Sequence, residues 1–151
     1  MTKLALGFLI VLITTGLFGS SHAGGLECSN TQDSAASDRL SKANSLASAY
    51  NIHTLYPGCL AGGGLSEEIS DRVAKILLKS WRESLLYFGG GTRHREIALT
   101  MVGYLGATND RDDLGRLEFF SRRECLPAAK VLCGKILDQI SESKYSRMRS
   151  E

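Results

Sequence analysis

Apolar side chains in this sequence recur three and four residues apart, and no stretch alternates in the two-residue rhythm of a half-buried strand. A chain patterned this way buries its apolar surface by packing helix on helix, so the expected fold class is all-α, built of antiparallel helix pairs with short connections. Glycine and proline punctuate the pattern and set the expected helix ends.

The segment "DSAASDRLSKANSLASAY" reads as one short helix with Leu40, Ala43, Ala47 and Tyr50 on one side. Residues 51–64, with Pro57 and a glycine run, read as a loop tied down by Cys59. Ser66 is placed to cap the next helix. Glu67 and Glu68 follow in its first turn, and Ile69, Val73, Ile76, Leu77 and Ser80 form a stripe that continues, with room for a break, through Trp81, Leu85 and Leu86. "FGGGT" ends that run, with Thr92 as the following cap. Ile97, Ala98, Met101, Val102 and Leu105 then mark a helix stopped by Gly106. Asn109 or Asp110 caps the next, with Asp112 and Asp113 in its first turn and Leu114, Leu117 and Phe120 inward. Pro127 opens the last helix, directing Ala128, Val131, Leu132, Ile136 and Ile140 to the core.

Residues 1–23 have the plan of a cleavable secretory signal: Lys3, the uncharged run "LALGFLIVLITTGLFG", and "SHA" before Gly24. Residues 24–151 are then a single helical domain, expected in the periplasm or secreted medium, with no stable membrane insertion after removal of the signal. Without Lys3, Lys+Arg falls from 18 to 17 against 16 Asp+Glu, a balance that disfavours nucleic-acid binding. All four cysteines, Cys28, Cys59, Cys125 and Cys133, follow the cleavage site, and an even number in an exported chain points to two disulfides. Three pairings are open; Cys28–Cys59 with Cys125–Cys133 is preferred, as a staple for the N-terminal segment and a clip on the last helix.

No metal or cofactor is expected. There is no CxxC, and His53 and His94 lack ligand spacing relative to the cysteines. "AGGGLS" and "FGGGTR" lack the Lys-Ser/Thr ending of a phosphate loop and read as turns. No serine sits in G-x-S-x-G. Glu67, Glu68 and Glu83 offer carboxylates of the kind glycoside hydrolases use, but acids at helix starts have a simpler explanation in the helix dipole.

A shift of 31 residues aligns "IALTMVGYL" with "AAKVLCGKI", matching Gly103 with Gly134, Ala98 with Ala129 and Leu105 with Ile136. With the Asp110 to Asp112 turn, this stretch from Trp81 to Ile140 resembles short HEAT-type helical repeats. That resemblance implies a right-handed stack, close helix crossings at the aligned glycines, and a surface for holding another protein. A compact disulfide-clipped bundle of five or six helices is the alternative. The short, signal-bearing, disulfide-clipped profile also resembles that of exported bacterial immunity and inhibitor proteins. It implies a non-enzymatic module that neutralises a toxin by stoichiometric binding. A small-ligand or lipid carrier and a small hydrolase using Glu67 or Glu83 are the other readings. The candidate partner surface is Arg93, His94 and Arg95 with Arg111, Asp112 and Asp113, both charge signs within two short linkers; an ordinary solvated edge is the competing reading. The partner is another protein, a toxin or other exported chain, with a homodimer also open.

Overall fold

The computed structural model describes residues 28–60, 64–106 and 108–149, and the expected signal segment lies outside them. The described residues are helical with no strand, joined in a bundle by disulfides Cys28–Cys59 and Cys125–Cys133. No helix among them is long and apolar enough to cross a membrane.

The helix expected between Asp33 and Tyr50 is two, α1 (Asn30–Ser41) and α2 (Leu46–Leu55). Each begins with a reciprocal cap. Ser29 Oγ accepts from the Gln32 amide at 3.3 Å while Gln32 Oε1 accepts from the Ser29 amide at 3.1 Å. Ser45 and Ser48 repeat the exchange at 3.2 and 3.1 Å. Because Ser45 restarts the helix, the buried positions become Leu40, Ala43, Leu46 and Ala49, and Ala47 and Tyr50 are only half covered. The loop expected from Asn51 starts later, since α2 runs to Leu55 and a single turn, α3 (Pro57–Leu60), carries Cys59.

The long central helix α4 (Gly64–Lys79) includes Ser66 in its first turn, and the Ser66 hydroxyl donates to the Leu60 carbonyl at 3.3 Å. Ser80 breaks the run, and α5 (Trp81–Gly89) resumes in a new phase that leaves Leu86 60 % exposed instead of on the inner stripe. The cap of α6 (Thr92–Val102) is Gly91 rather than Thr92; its φ of 134° and ψ of 179° suit glycine alone. Helix α6 stops at Val102, before Gly106, with exposed Gly103 as its C-cap. A Cβ at Gly103 would meet only carbonyl oxygens of its own preceding turn, Thr100 at 3.1 Å and Leu99 at 3.6 Å, and one at Gly134 would meet nothing within 4 Å. Neither glycine marks a close crossing with a neighbouring helix.

Asp110 caps α7 (Arg111–Arg123), its carboxylate accepting from the Asp112 and Asp113 amides at 2.7 and 3.3 Å. Pro127 opens a 3-10 turn, Pro127–Ala129, ahead of α8 (Lys130–Met148). That tighter turn slips the register by one: Ala129, Leu132, Cys133, Ile136 and Ile140 are buried, while Ala128 and Val131 are exposed.

Helix α4 packs against α1, α2, α3, α5, α6 and α7, burying Leu65, Ile69, Ser70, Val73, Ala74, Ile76 and Leu77. Near its start, Ser70 Oγ donates to Asn109 Oδ1 at 2.8 Å, and the same oxygen accepts from the Gly106 amide at 2.9 Å. Beyond its end, Trp81 Nε1 donates to the Glu124 carbonyl at 3.2 Å and its ring lies 5.6 Å from Phe120. Helix α7 therefore runs parallel to α4, from the Asn109 end to the Trp81 end. Between α7 and α8, Glu118 takes Lys144 Nζ at 2.6 Å and Arg122 Nη2 at 3.1 Å. These hydrogen bonds hold the Glu118 carboxyl below the usual carboxylate range.

Asn109 is 4 % exposed, so Asn109→Ala would strand the Ser70 hydroxyl and the Gly106 amide. A loss of about 2 kcal/mol is expected from chemical denaturation, since each buried group left without its partner costs about 1–3 kcal/mol. Gly91→Ala is expected to cost about 1–3 kcal/mol because of its backbone region, whereas Gly103→Ala, unstrained at φ −59° and ψ −17° but with its Cβ 3.1 Å from the Thr100 carbonyl oxygen, should cost less than Gly91→Ala. Thermal melts of the two variants side by side check the contrast.

Candidate functional site

The six candidate partner residues divide into two sets. Arg93, His94 and Arg95 occupy the first turn of α6, and Arg111, Asp112 and Asp113 the first turn of α7. The two turns lie at opposite ends of α6, whose 11 residues rise about 16 Å at 1.5 Å each. They do not make one continuous edge.

At the α5–α6 turn two of these side chains lie against aromatic rings. The Arg95 guanidinium carbon sits 5.7 Å from the centre of the Phe88 ring, and the His94 ring meets Tyr87 edge-on at 4.5 Å. Burial pushes the Tyr87 phenol above its ordinary value, and the Arg93 charge pulls it partly back. Gly90 makes room for this arrangement: a Cβ there would stand 2.7 Å from His94 Nδ1. Beside the turn, Asn44, Ser45, Ile76, Glu83, Ser84 and Tyr87 line an open cleft of about 340 Å³. Sequence reading located Arg93 to Arg95 but missed Tyr87, Phe88 and the cleft, because the cleft joins residues from three helices.

Along the outer side of α7, Arg111, Asp112, Gly115, Arg116, Phe119 and Phe120 line a shallow groove of about 600 Å³. Asp113 turns toward Arg116, with a long ion-pair distance of 3.9 Å. Phe119 stands 56 % exposed in the midst of these charges.

The carboxylates considered for hydrolysis do not converge. Glu67 lies in the first turn of α4, and Glu83 lies beyond that helix's far end; the 12 steps from Glu67 to Lys79 alone rise about 18 Å. Paired glycosidase carboxylates stand about 5–9.5 Å apart. Cys28, Asp33 and Cys59 cluster within 4.8 Å, but the two sulfurs are bonded to each other and hold no lone thiolate for a metal. Comparison with protein families, curated proteins and solved structures gave no match.

A separate polar contact joins α2 to the end of α6. His53 Nδ1 lies 2.8 Å from the Tyr104 hydroxyl, with the rings at 72°, and Tyr50 flanks the imidazole at 5.5 Å. Burial lowers the pKa of His53 and raises that of Tyr104, each disfavouring the charged form. With its folded pKa depressed, His53 contributes stability that is complete above the ordinary value of about 6.5 and is lost as pH falls through that value toward the folded pKa. His53→Gln, which cannot titrate, should therefore lose less melting temperature between pH 7 and pH 5 than the parent chain. Equal losses would show that His53 is uncoupled from folding.

Proposed function

We propose that this chain is an exported protein-binding module, acting in the periplasm or secreted medium by stoichiometric binding rather than by turnover. The observation that carries this reading is the ordered cluster at the α5–α6 turn. Tyr87 and Phe88 already hold His94 and Arg95 in place. Side chains pre-set on aromatic rings lose less freedom on binding than free ones do, so more of their attraction to a partner survives as affinity. The basic side chains of Arg93, His94 and Arg95 suit acidic groups on a protein surface, and the adjoining cleft, lined by Ser45, Ser84, Tyr87 and Glu83, offers hydrogen-bonding groups beside them. The two disulfides fit an oxidising compartment, where a small domain benefits from covalent staples. Scattered carboxylates at opposite ends of α4 support binding over hydrolysis. The profile shared with exported immunity and inhibitor proteins makes a secreted toxin the natural class of partner.

The test is capture by immobilised protein from periplasmic or culture extract, with Arg93→Glu/Arg95→Glu as comparator and calorimetry on the protein captured. A one-to-one complex that weakens at least ten-fold in the charge-reversed variant, at unchanged melting temperature, is the expected result. Gly90→Ala, which pushes on the His94 ring without touching either arginine, should weaken the same complex by a smaller factor. Catalytic turnover of a cell-wall or lipid substrate by the protein alone would overturn the reading. Equal binding by the parent and the charge-reversed variant would remove this surface from it.

A further inference from the structure

We propose that the outer face of α7 pairs two copies of this chain antiparallel across a two-fold axis. Helix α7 buries Leu114, Leu117 and Ser121 inward. The side chains diametrically opposite are Asp112, Arg116, Phe119 and Arg123, all exposed. Their spacings of four, three and four residues read the same from either end. Laid against itself head to tail, the stripe sets Asp112 of one copy on Arg123 of the other, and Arg116 on Phe119, with each contact made twice.

Both kinds of contact are attractive. Asp112 with Arg123 is an ion pair, and neither side chain has an ion-pair partner among the described residues of its own chain. Arg116 over Phe119 is a cation–π contact, and it would cover the 56 % exposed ring. A surface whose charges and rings complement themselves under a two-fold rotation is what an isologous dimer requires. An unrelated partner would need no such symmetry.

Gly115 points the same way. It lies in the body of α7, where glycine weakens a helix, and a Cβ there would meet nothing within 4 Å. Packing within the chain therefore does not call for it. In the head-to-tail pairing Gly115 lies on the same flank as the Phe119 ring of the second copy, and the missing Cβ lets the two helix axes approach. One four-turn helix per copy covers less than the roughly 1,200 Å² at the lower end of stable interfaces, so the dimer is weak and concentration-dependent.

The experiment is sedimentation velocity on the full mature chain from about 1 µM to 1 mM, a range that brackets weak dimers. The parent should shift from monomer toward dimer as concentration rises. Asp112→Arg and Arg123→Asp should each raise the dimer dissociation constant about ten-fold or more, because each places like charges opposite one another. The double swap Asp112→Arg/Arg123→Asp should restore association to near the parent value. Both swapped charges oppose the helix dipole, so the same double variant should be the least thermally stable of the set, and recovered dimerisation cannot be attributed to a firmer fold. A parent that stays monomeric to 1 mM, single variants that associate like the parent, or a double swap that fails to recover would each overturn the pairing. Loss of the partner complex in the Arg93→Glu/Arg95→Glu variant leaves this result untouched, since those residues are on α6 and not in the α7 stripe.

Discussion

The wide apolar face of α4 organises this protein. Leu65, Ile69, Val73 and Leu77 are almost entirely withdrawn from water, and full burial of such side chains stabilises by about 1.5–3 kcal/mol each. A stripe joined by Ser70, Ala74 and Ile76 is too broad for a single neighbour, so helices gather on several sides of α4. Two polar anchors fix how α7 lies on it. Ser70 reaches Asn109 near one end, and Trp81 reaches the Glu124 carbonyl beyond the other. Buried polar groups demand a specific partner where apolar ones accept any close neighbour, so these contacts set direction and register.

The disulfides hold the parts that α4 grips least. Helix α1 is polar and offers only Ala36 and Leu40 to the core, and α3 is a single turn. Cys28–Cys59, closing a separation of 31 residues, ties both to the bundle; a chain-entropy argument gives such a closure about 3–4 kcal/mol. Cys125–Cys133 spans only 8 residues, worth about 2–3 kcal/mol on the same argument, and fixes the tight turn that sets the phase of α8.

That scaffold presents two chemically different surfaces on different helices. The α5–α6 turn gathers basic side chains on aromatic rings beside a hydroxyl-lined cleft. The outer face of α7 alternates acid, base and ring along one helix.

Much of the architecture was legible in the residues themselves. The three-and-four spacing specified helices, and the acids at Asp110, Asp112 and Asp113 marked the start of α7, because helix periodicity, caps and dipoles act over a few neighbouring residues. The preferred cysteine pairing was one of three allowed, and it is the one the fold adopts. Local pattern fell short where two local signals competed. Ser45 restarted a helix that could have continued, Gly91 took the cap offered to Thr92, and the turn at Pro127 moved Val131 outward. Asn109 read as a cap but became a buried anchor, since its acceptor role depends on Ser70, 39 positions away. The candidate surface divided for the same reason. Sequence proximity suggested one edge for Arg95 and Arg111, but the direction in which α6 runs across α4 is a property of packed helices, and it carried the two to opposite ends. Elements and their caps were determined by the chain alone; which side chains share a surface was decided by the tertiary packing of α4, because contact between distant residues exists only once the core closes.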